Sequence, residues 1–152
     1  MKIWIDADAC PKFVKDMVYK SSERTGVSVI LVANSTMHIP HSSNVSLVVV
    51  DAGLDVADHH IRDECEVGDL VITADIPLAH SLVEKGVLAI NPRGEVYTEE
   101  NVGEALSMRN LLSEPREGGL VQGGPAPLGP KDRNKFASAF DRELTRLLKS
   151  SK

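Results

Sequence analysis

Ile3-Trp4-Ile5-Asp6-Ala7-Asp8-Ala9-Cys10-Pro11 runs an apolar segment directly into two acids, followed by a proline suited to the first position of a helix. In a parallel α/β sheet, ligand-binding groups lie outside the carboxyl ends of the strands, so this stretch predicts both a strand and a site. The arrangement recurs. Leu70-Val71-Ile72 leads through Thr73-Ala74 to Asp75, and Leu47-Val48-Val49-Val50 leads to Asp51. Between and beyond these runs lie Val27 to Ala33 and Val87 to Ile90, both rich in β-branched residues.

Segments of helical period alternate with the strands. Val14, Met17 and Val18 make one apolar stripe that Gly26 closes. Leu78, Ala79, Leu82 and Val83 make another, opened by Asp75 with Pro77 and closed by Gly86. Thr98 caps a third segment, with Val102, Ala105 and Leu106, that continues to about Leu112. Strands alternating with helices predict a three-layer α/β domain: a central, mostly parallel sheet of about five strands with helices on both faces. Continuous apolar runs such as Leu47 to Val50 predict strands covered on both sides.

The chain reads as one domain in three parts. An α/β core occupies residues 1–113. Residues 114–131 hold five Gly and four Pro, a composition that opposes helix and strand alike and predicts a loop. Residues 132–152 form a basic amphipathic helix, capped by Asp132, with Phe136, Phe140, Leu144, Leu147 and Leu148 on one stripe. That stripe packs on the core or, in a homodimer, on a second subunit.

With 152 residues, 42% hydrophobic and 26% charged, the chain can bury a core without staples and is neither disordered nor collagen-like. Two cysteines are too few for a disulfide framework, and the apolar start is too short for a signal peptide or membrane span; the expected setting is the cytoplasm, with no membrane partner. The net charge of −5 conceals an asymmetry: residues 131–152 carry seven Lys/Arg against three Asp/Glu, and the first 130 carry ten against nineteen. An acidic body disfavours nucleic acid by bulk electrostatics, so such a partner needs a local basic face or bound cations. Six aromatic residues leave little for base stacking.

If the first and fourth strands are neighbours, Asp6, Asp8 and Asp75 converge at one edge of the sheet. Two like charges at about 4 Å repel by roughly 4 kcal/mol at an effective dielectric of 20. A divalent cation with oxygen ligands, Mg²⁺ or Mn²⁺, offsets that repulsion. Each acid alone has a plainer role as a helix cap. In Asp55-Val56-Ala57-Asp58-His59-His60-Ile61-Arg62, helical spacing puts Asp55, Asp58, His59 and Arg62 on one face and Ala57, Ile61 and Cys65 on the other. That face is either a solvated one laced with i, i+4 pairs or a further acid for the same metal, through Asp58 or Asp55.

Six motifs carry a family resemblance: Asp6-Ala7-Asp8-Ala9-Cys10-Pro11, Asp55-Val56-Ala57-Asp58, the segment Gly68 to Ala79, Pro92-Arg93-Gly94, Gly123-Gly124-Pro125 and Asp132-Arg133. Together they resemble the YaiI/YqxD family of bacterial proteins, from Ile3 to about Leu147. The resemblance implies a fold related to the PIN and NYN nucleases, which cluster acids at strand ends to hold Mg²⁺ or Mn²⁺. It implies Asp6, Asp75 and Asp58 as catalytic metal ligands, with Asp8 in the same cluster, and phosphodiester hydrolysis, most naturally of RNA. Arg93 and Arg133 are then the candidate phosphate contacts, against plainer roles as a turn residue paired with a nearby acid and a residue on the helix surface.

Two rival readings stay open. A haloacid-dehalogenase-like phosphatase would use Asp6 as nucleophile and Gly68-Asp69 with Asp75 as a metal motif, but Asp69 and Asp75 flank an extended strand and stand about 13 Å apart. A noncatalytic PIN-like module would bind RNA or a protein without cutting it. Cys10, ahead of a helix start, is open to thiolate activation by the helix dipole, although no base is placed beside it. His38, His41 and His80 read as surface residues, and His59 and His60 diverge by about 100° on a helix.

Overall fold

The computed structural model describes residues 1–53, 56–113 and 129–150, with the side chains of residues 9 and 108–113 excepted. Five strands, β1 (Lys2–Asp6), β2 (Ser28–Ala33), β3 (Val45–Val49), β4 (Leu70–Ile72) and β5 (Leu88–Ile90), form one parallel sheet in the order β3-β2-β1-β4-β5. Five helices flank it: α1 (Lys12–Thr25), α2 (Val56–Glu64), α3 (Ile76–Lys85), α4 (Glu99–Ser113) and α5 (Pro130–Ser150). The expected three-layer α/β architecture is the one observed.

Alternation along the central strands divides the interior in two. Ile3 and Ile5 of β1, Val29 and Leu31 of β2, and Leu70 and Ile72 of β4 face Val14 and Val18 of α1 and Phe136, Phe140 and Leu144 of α5. Trp4, Val32, Val71 and Ala89 face the opposite way, onto Ala57 and Ile61 of α2, Leu78, Ala79 and Leu82 of α3, and Val102 of α4. The apolar runs are therefore continuous because each strand feeds two cores. β3 departs from that expectation. It is an edge strand joined to β2 by residues 34–44 without a helix, and Val49 stays 51% exposed.

The caps follow local chemistry. Gly26 and Gly86 end α1 and α3 in the left-handed region. Thr98 Oγ1 accepts from Asn101 N while Asn101 Oδ1 accepts from Thr98 N, a reciprocal cap that opens α4. The last helix starts at Pro130 rather than Asp132, because Asp132 in its first turn reaches back to accept from Gly129 N. Most of the Gly/Pro-rich segment, residues 114–128 including Gly123-Gly124-Pro125, lies outside the described residues. α5 packs its stripe against this same core, beside α1.

Candidate active site at the carboxyl edge of the sheet

β1 and β4 are neighbours, with Ile5 opposite Ile72, so the sheet's connectivity reverses direction between them. Crevices at such reversals are where open α/β sheets bind ligands. Asp6 closes β1, a short 3-10 turn over Ala7–Ala9 carries Asp8, and Asp75 is the N-cap of α3. All three acids stand at this edge.

A threonine links two of them. Thr73 Oγ1 donates to Asp6 Oδ2 at 3.0 Å and accepts from Asp75 N at 3.0 Å. Asp75 Oδ1 in turn accepts from Leu78 N at 2.8 Å. Asp8 Oδ2 accepts from Asn34 N at 2.9 Å, which ties the end of β2 to the turn after β1. Tyr97, its hydroxyl pushed up to about 12 by burial, donates to the Thr73 carbonyl at 3.4 Å. Thr73, Asn34 and Tyr97 were not singled out as site residues from the sequence. The signal for Thr73 was its place two residues ahead of Asp75, where a hydroxyl can reach the next strand's end.

Asp6 is the buried member, at 8% exposure. Burial raises its pKa above the ordinary carboxylate value; the Thr73 hydrogen bond opposes this, and the charges of Asp75 and Asp8 add to it. Asp6, Asp8 and Asp75 thus stand at one edge of the sheet, as adjacency of β1 and β4 predicts. Asp58 is placed otherwise. It lines a cleft of about 80 Å³ between α2 and α3, with His59, Arg62, Pro77, Leu78 and Ser81, and its charge is not among those that shift Asp6. Asp55 lies outside the described residues.

The candidate phosphate contacts flank the same edge. Arg93, in the turn after β5, holds Asp132 of α5 at 3.4 Å, the plainer of its two expected roles. Arg133 is exposed, with its guanidinium 5.1 Å from the centre of the Phe13 ring in the first turn of α1. Gly94, at φ +86°, lies so close to α5 that a Cβ there would stand 2.6 Å from the Lys135 carbonyl.

Among the described residues, no three His, Cys, Asp or Glu side chains are gathered closely enough to enclose an ion. Mg²⁺ is commonly held by one or two carboxylates with waters and substrate phosphates completing the shell. Asp6, Asp8 and Asp75 supply hard oxygen donors, and each commits only one oxygen to a hydrogen bond among the described residues. That chemistry fits Mg²⁺ or Mn²⁺ in a partial protein shell.

Other expectations resolve differently. Asp69 sits at the opposite, amino end of the strands, buried, accepting from Lys2 N, Trp4 Nε1 and Glu66 N at 3.0 Å each. It holds the sheet together and is remote from Asp6 along β1, which removes the second motif of the phosphatase reading. Cys10 is not an activated thiol: burial pushes it up to about 12, and its Sγ donates to the Pro11 carbonyl. His38, His41 and His59 are exposed, His80 pairs with Glu84 at 2.9 Å, and His60 meets the Trp4 ring edge-on. No helix among the described residues is long and apolar enough to cross a membrane.

Comparison with known proteins matches residues 4–146 to the family model described as "Uncharacterized BCR, YaiI/YqxD family". A UPF0178 protein of Citrifermentans bemidjiense is 60% identical over 149 residues, covering 98% of this chain and 97% of the relative. A UPF0178 protein of Myxococcus xanthus is 53% identical over 150 residues, covering 99% and 98%. One of Shewanella loihica is 49% identical over 146 residues, covering 96% and 97%. No solved structure matches the chain.

Proposed function

The chain belongs to the YaiI/YqxD family, and we propose that it is a PIN-like, metal-dependent nuclease that hydrolyses phosphodiester bonds in RNA. The observation that carries this reading is the placement of Asp6, Asp8 and Asp75 together at the sheet's reversal point, with Thr73 bridging Asp6 and the Asp75 backbone. One or two of Asp6, Asp8 and Asp75 would hold Mg²⁺ or Mn²⁺, with waters and substrate phosphate oxygens completing the shell, while Asp58 lines the adjoining cleft. When bound, such an ion lowers the pKa of an attacking water and neutralises charge on the phosphoryl oxygens.

The chain's own residues do the rest. Thr73 fixes the Asp6 carboxylate and lowers its pKa, opposing the larger upward pull of burial. Asn34 N fixes Asp8, and Leu78 N fixes Asp75, so the acids are oriented before substrate arrives. Arg133 offers an exposed guanidinium to a phosphate, and Arg93 a second one that it shares with Asp132.

A second reading has one observation in its favour. Each acid is already satisfied by a local donor, as it would be in a module that binds RNA without cutting it. The experiment that separates the two incubates the protein with single-stranded, duplex and hairpin RNA and DNA, with Mn²⁺ or Mg²⁺ and then with chelator. The nuclease reading predicts shortened RNA products that chelation abolishes. Retarded but intact RNA under every metal condition would replace it with the binding module.

A further inference from the structure

α5 presents two faces of opposite character. Phe136, Phe140 and Leu144 are at most 2% exposed and belong to the core. On the far side stand Lys131, Lys135, Arg142, Arg146 and Lys149, all exposed. At 100° per residue these five cations fall within an arc of about 60°, and at 1.5 Å per residue the row is about 27 Å long. The positions that fill the gap in the row and border it are Ser138 and Thr145, both exposed.

Little on this face cancels the charge. Glu143, buried at the flank, accepts from Arg142 Nε and Arg146 Nε at 3.0 Å each, so one carboxylate serves two guanidiniums and aligns them. Asp141, beside the row, is taken by Arg24 of α1 at 3.5 Å. Lys131, Lys135 and Lys149 have no ion pair among the described residues. Elsewhere the chain is acidic, with nineteen Asp/Glu against ten Lys/Arg in residues 1–130. A polyanion is repelled by the body and attracted to this one helix face.

The helix is also aimed. Its first turns touch the turn after β5, through Arg93 with Asp132 and through Gly94 against the Lys135 backbone, at the carboxyl edge where the acids stand. Its last turn reaches Met1 and Gly68 at the amino edge, lining a cavity of about 290 Å³ with them. A row one cation wide and straight matches a single backbone. Because the apolar stripe is consumed by the core, the face has nothing to insert into a lipid layer.

We infer that the outer face of α5 is a docking track for the phosphate backbone of single-stranded RNA, which it leads toward the carboxyl edge of the sheet. The track reads charge and not sequence, in keeping with the scarcity of aromatic residues for base stacking. This inference rests on the RNA reading above.

Its test measures fluorescence anisotropy of a labelled single-stranded RNA on the full chain across a salt series, using Asp8→Asn as background to prevent cutting. A triple variant, Lys131→Gln with Lys135→Gln and Lys149→Gln, is compared with a control that removes three exposed lysines elsewhere, Lys2, Lys20 and Lys85. Thermal melting verifies that both fold. At roughly 0.7 per released counterion on a single strand, the track triple is expected to lower the slope of log affinity against log salt by about 2 and the control to leave it nearly unchanged. An unchanged slope in the track triple, or an equal loss in both, overturns the track. Should the same three lysine substitutions, made in the chain with Asp8 intact, leave RNA cutting as fast as in wild type, the track falls and the nuclease reading stands; a wild-type chain that neither binds nor cuts RNA removes both.

Discussion

Asp6 and Asp69 are both buried carboxylates on or beside β1, and their surroundings give them opposite work. Asp69 takes three donors, two of them from the strand it adjoins. Asp69→Ala leaves the buried Trp4 indole N–H without its acceptor, and at roughly 1–3 kcal/mol for each buried group left unpaired it should cost about 3 kcal/mol or more, read by denaturant unfolding followed through Trp4 fluorescence. Asp6 has one donor and two like-charged neighbours. Its folded pKa lies above its unfolded value, so the folded state holds the proton more tightly and gains stability as pH falls through the folded pKa; above that pKa the carboxylate weighs against folding. Asp6→Asn should therefore raise the melting temperature on the alkaline side of the Asp6 titration, flatten the rise seen as the wild-type chain is acidified, and abolish cleavage. A melting temperature lowered by Asp6→Asn would mean that the carboxylate is structural. Both acids were visible in the sequence, but their roles were not, because role depends on which donors the neighbouring strand delivers. Asp58 shows the same limit: helical spacing put it on one face with His59 and Arg62, and only the packing of α2 on α3 decided that this face lines a cleft.

At the scale of elements, the strands and helices were largely legible, since β-branched runs, Gly caps at Gly26 and Gly86, and the Asp75-Pro77 start are local signals. What escaped was pairing. The run Leu47 to Val50 reads like a buried strand, yet its place depends on the connection through residues 34–44, which leaves β3 at the edge. The seat of α5 was equally hidden, because a stripe of Phe and Leu states that a partner exists without naming it. Gly94 fixes that seat: with φ at +86° and the Lys135 carbonyl 2.6 Å from where a Cβ would be, Gly94→Ala must displace either the turn or the helix. The expected result is a loss of at least about 1 kcal/mol, measured by thermal unfolding, with earlier proteolytic release of the C-terminal helix. Ala substituted for Phe136, which is fully buried between Phe13 and Phe140, should cost about 3–5 kcal/mol in the same assay.

Across the whole molecule, the architecture separates charge by position. Acids collect where β1 and β4 end, cations line the outside of α5, and the two regions meet where Arg93 and Gly94 contact the helix start. The sheet order turns residues far apart in sequence, such as Asp6 and Thr73, into hydrogen-bonded neighbours, and a single row of letters shows this only once the strand order is assumed. The same geometry sets Asp69 at the other end of the strands as a built-in control, an acid of the same type in the same sheet. The most direct measurement of the central claim is metal-dependent RNA cleavage by Asp6→Asn, Asp8→Asn, Asp75→Asn and Asp69→Asn side by side, each verified folded by circular dichroism. The account predicts a loss of at least about a hundredfold in the first three, in line with removal of a group that holds a metal or its water, and near-full activity per folded molecule in Asp69→Asn. Cleavage that survives in Asp75→Asn and Asp8→Asn, or that falls equally in all four, would contradict a catalytic site at the carboxyl edge.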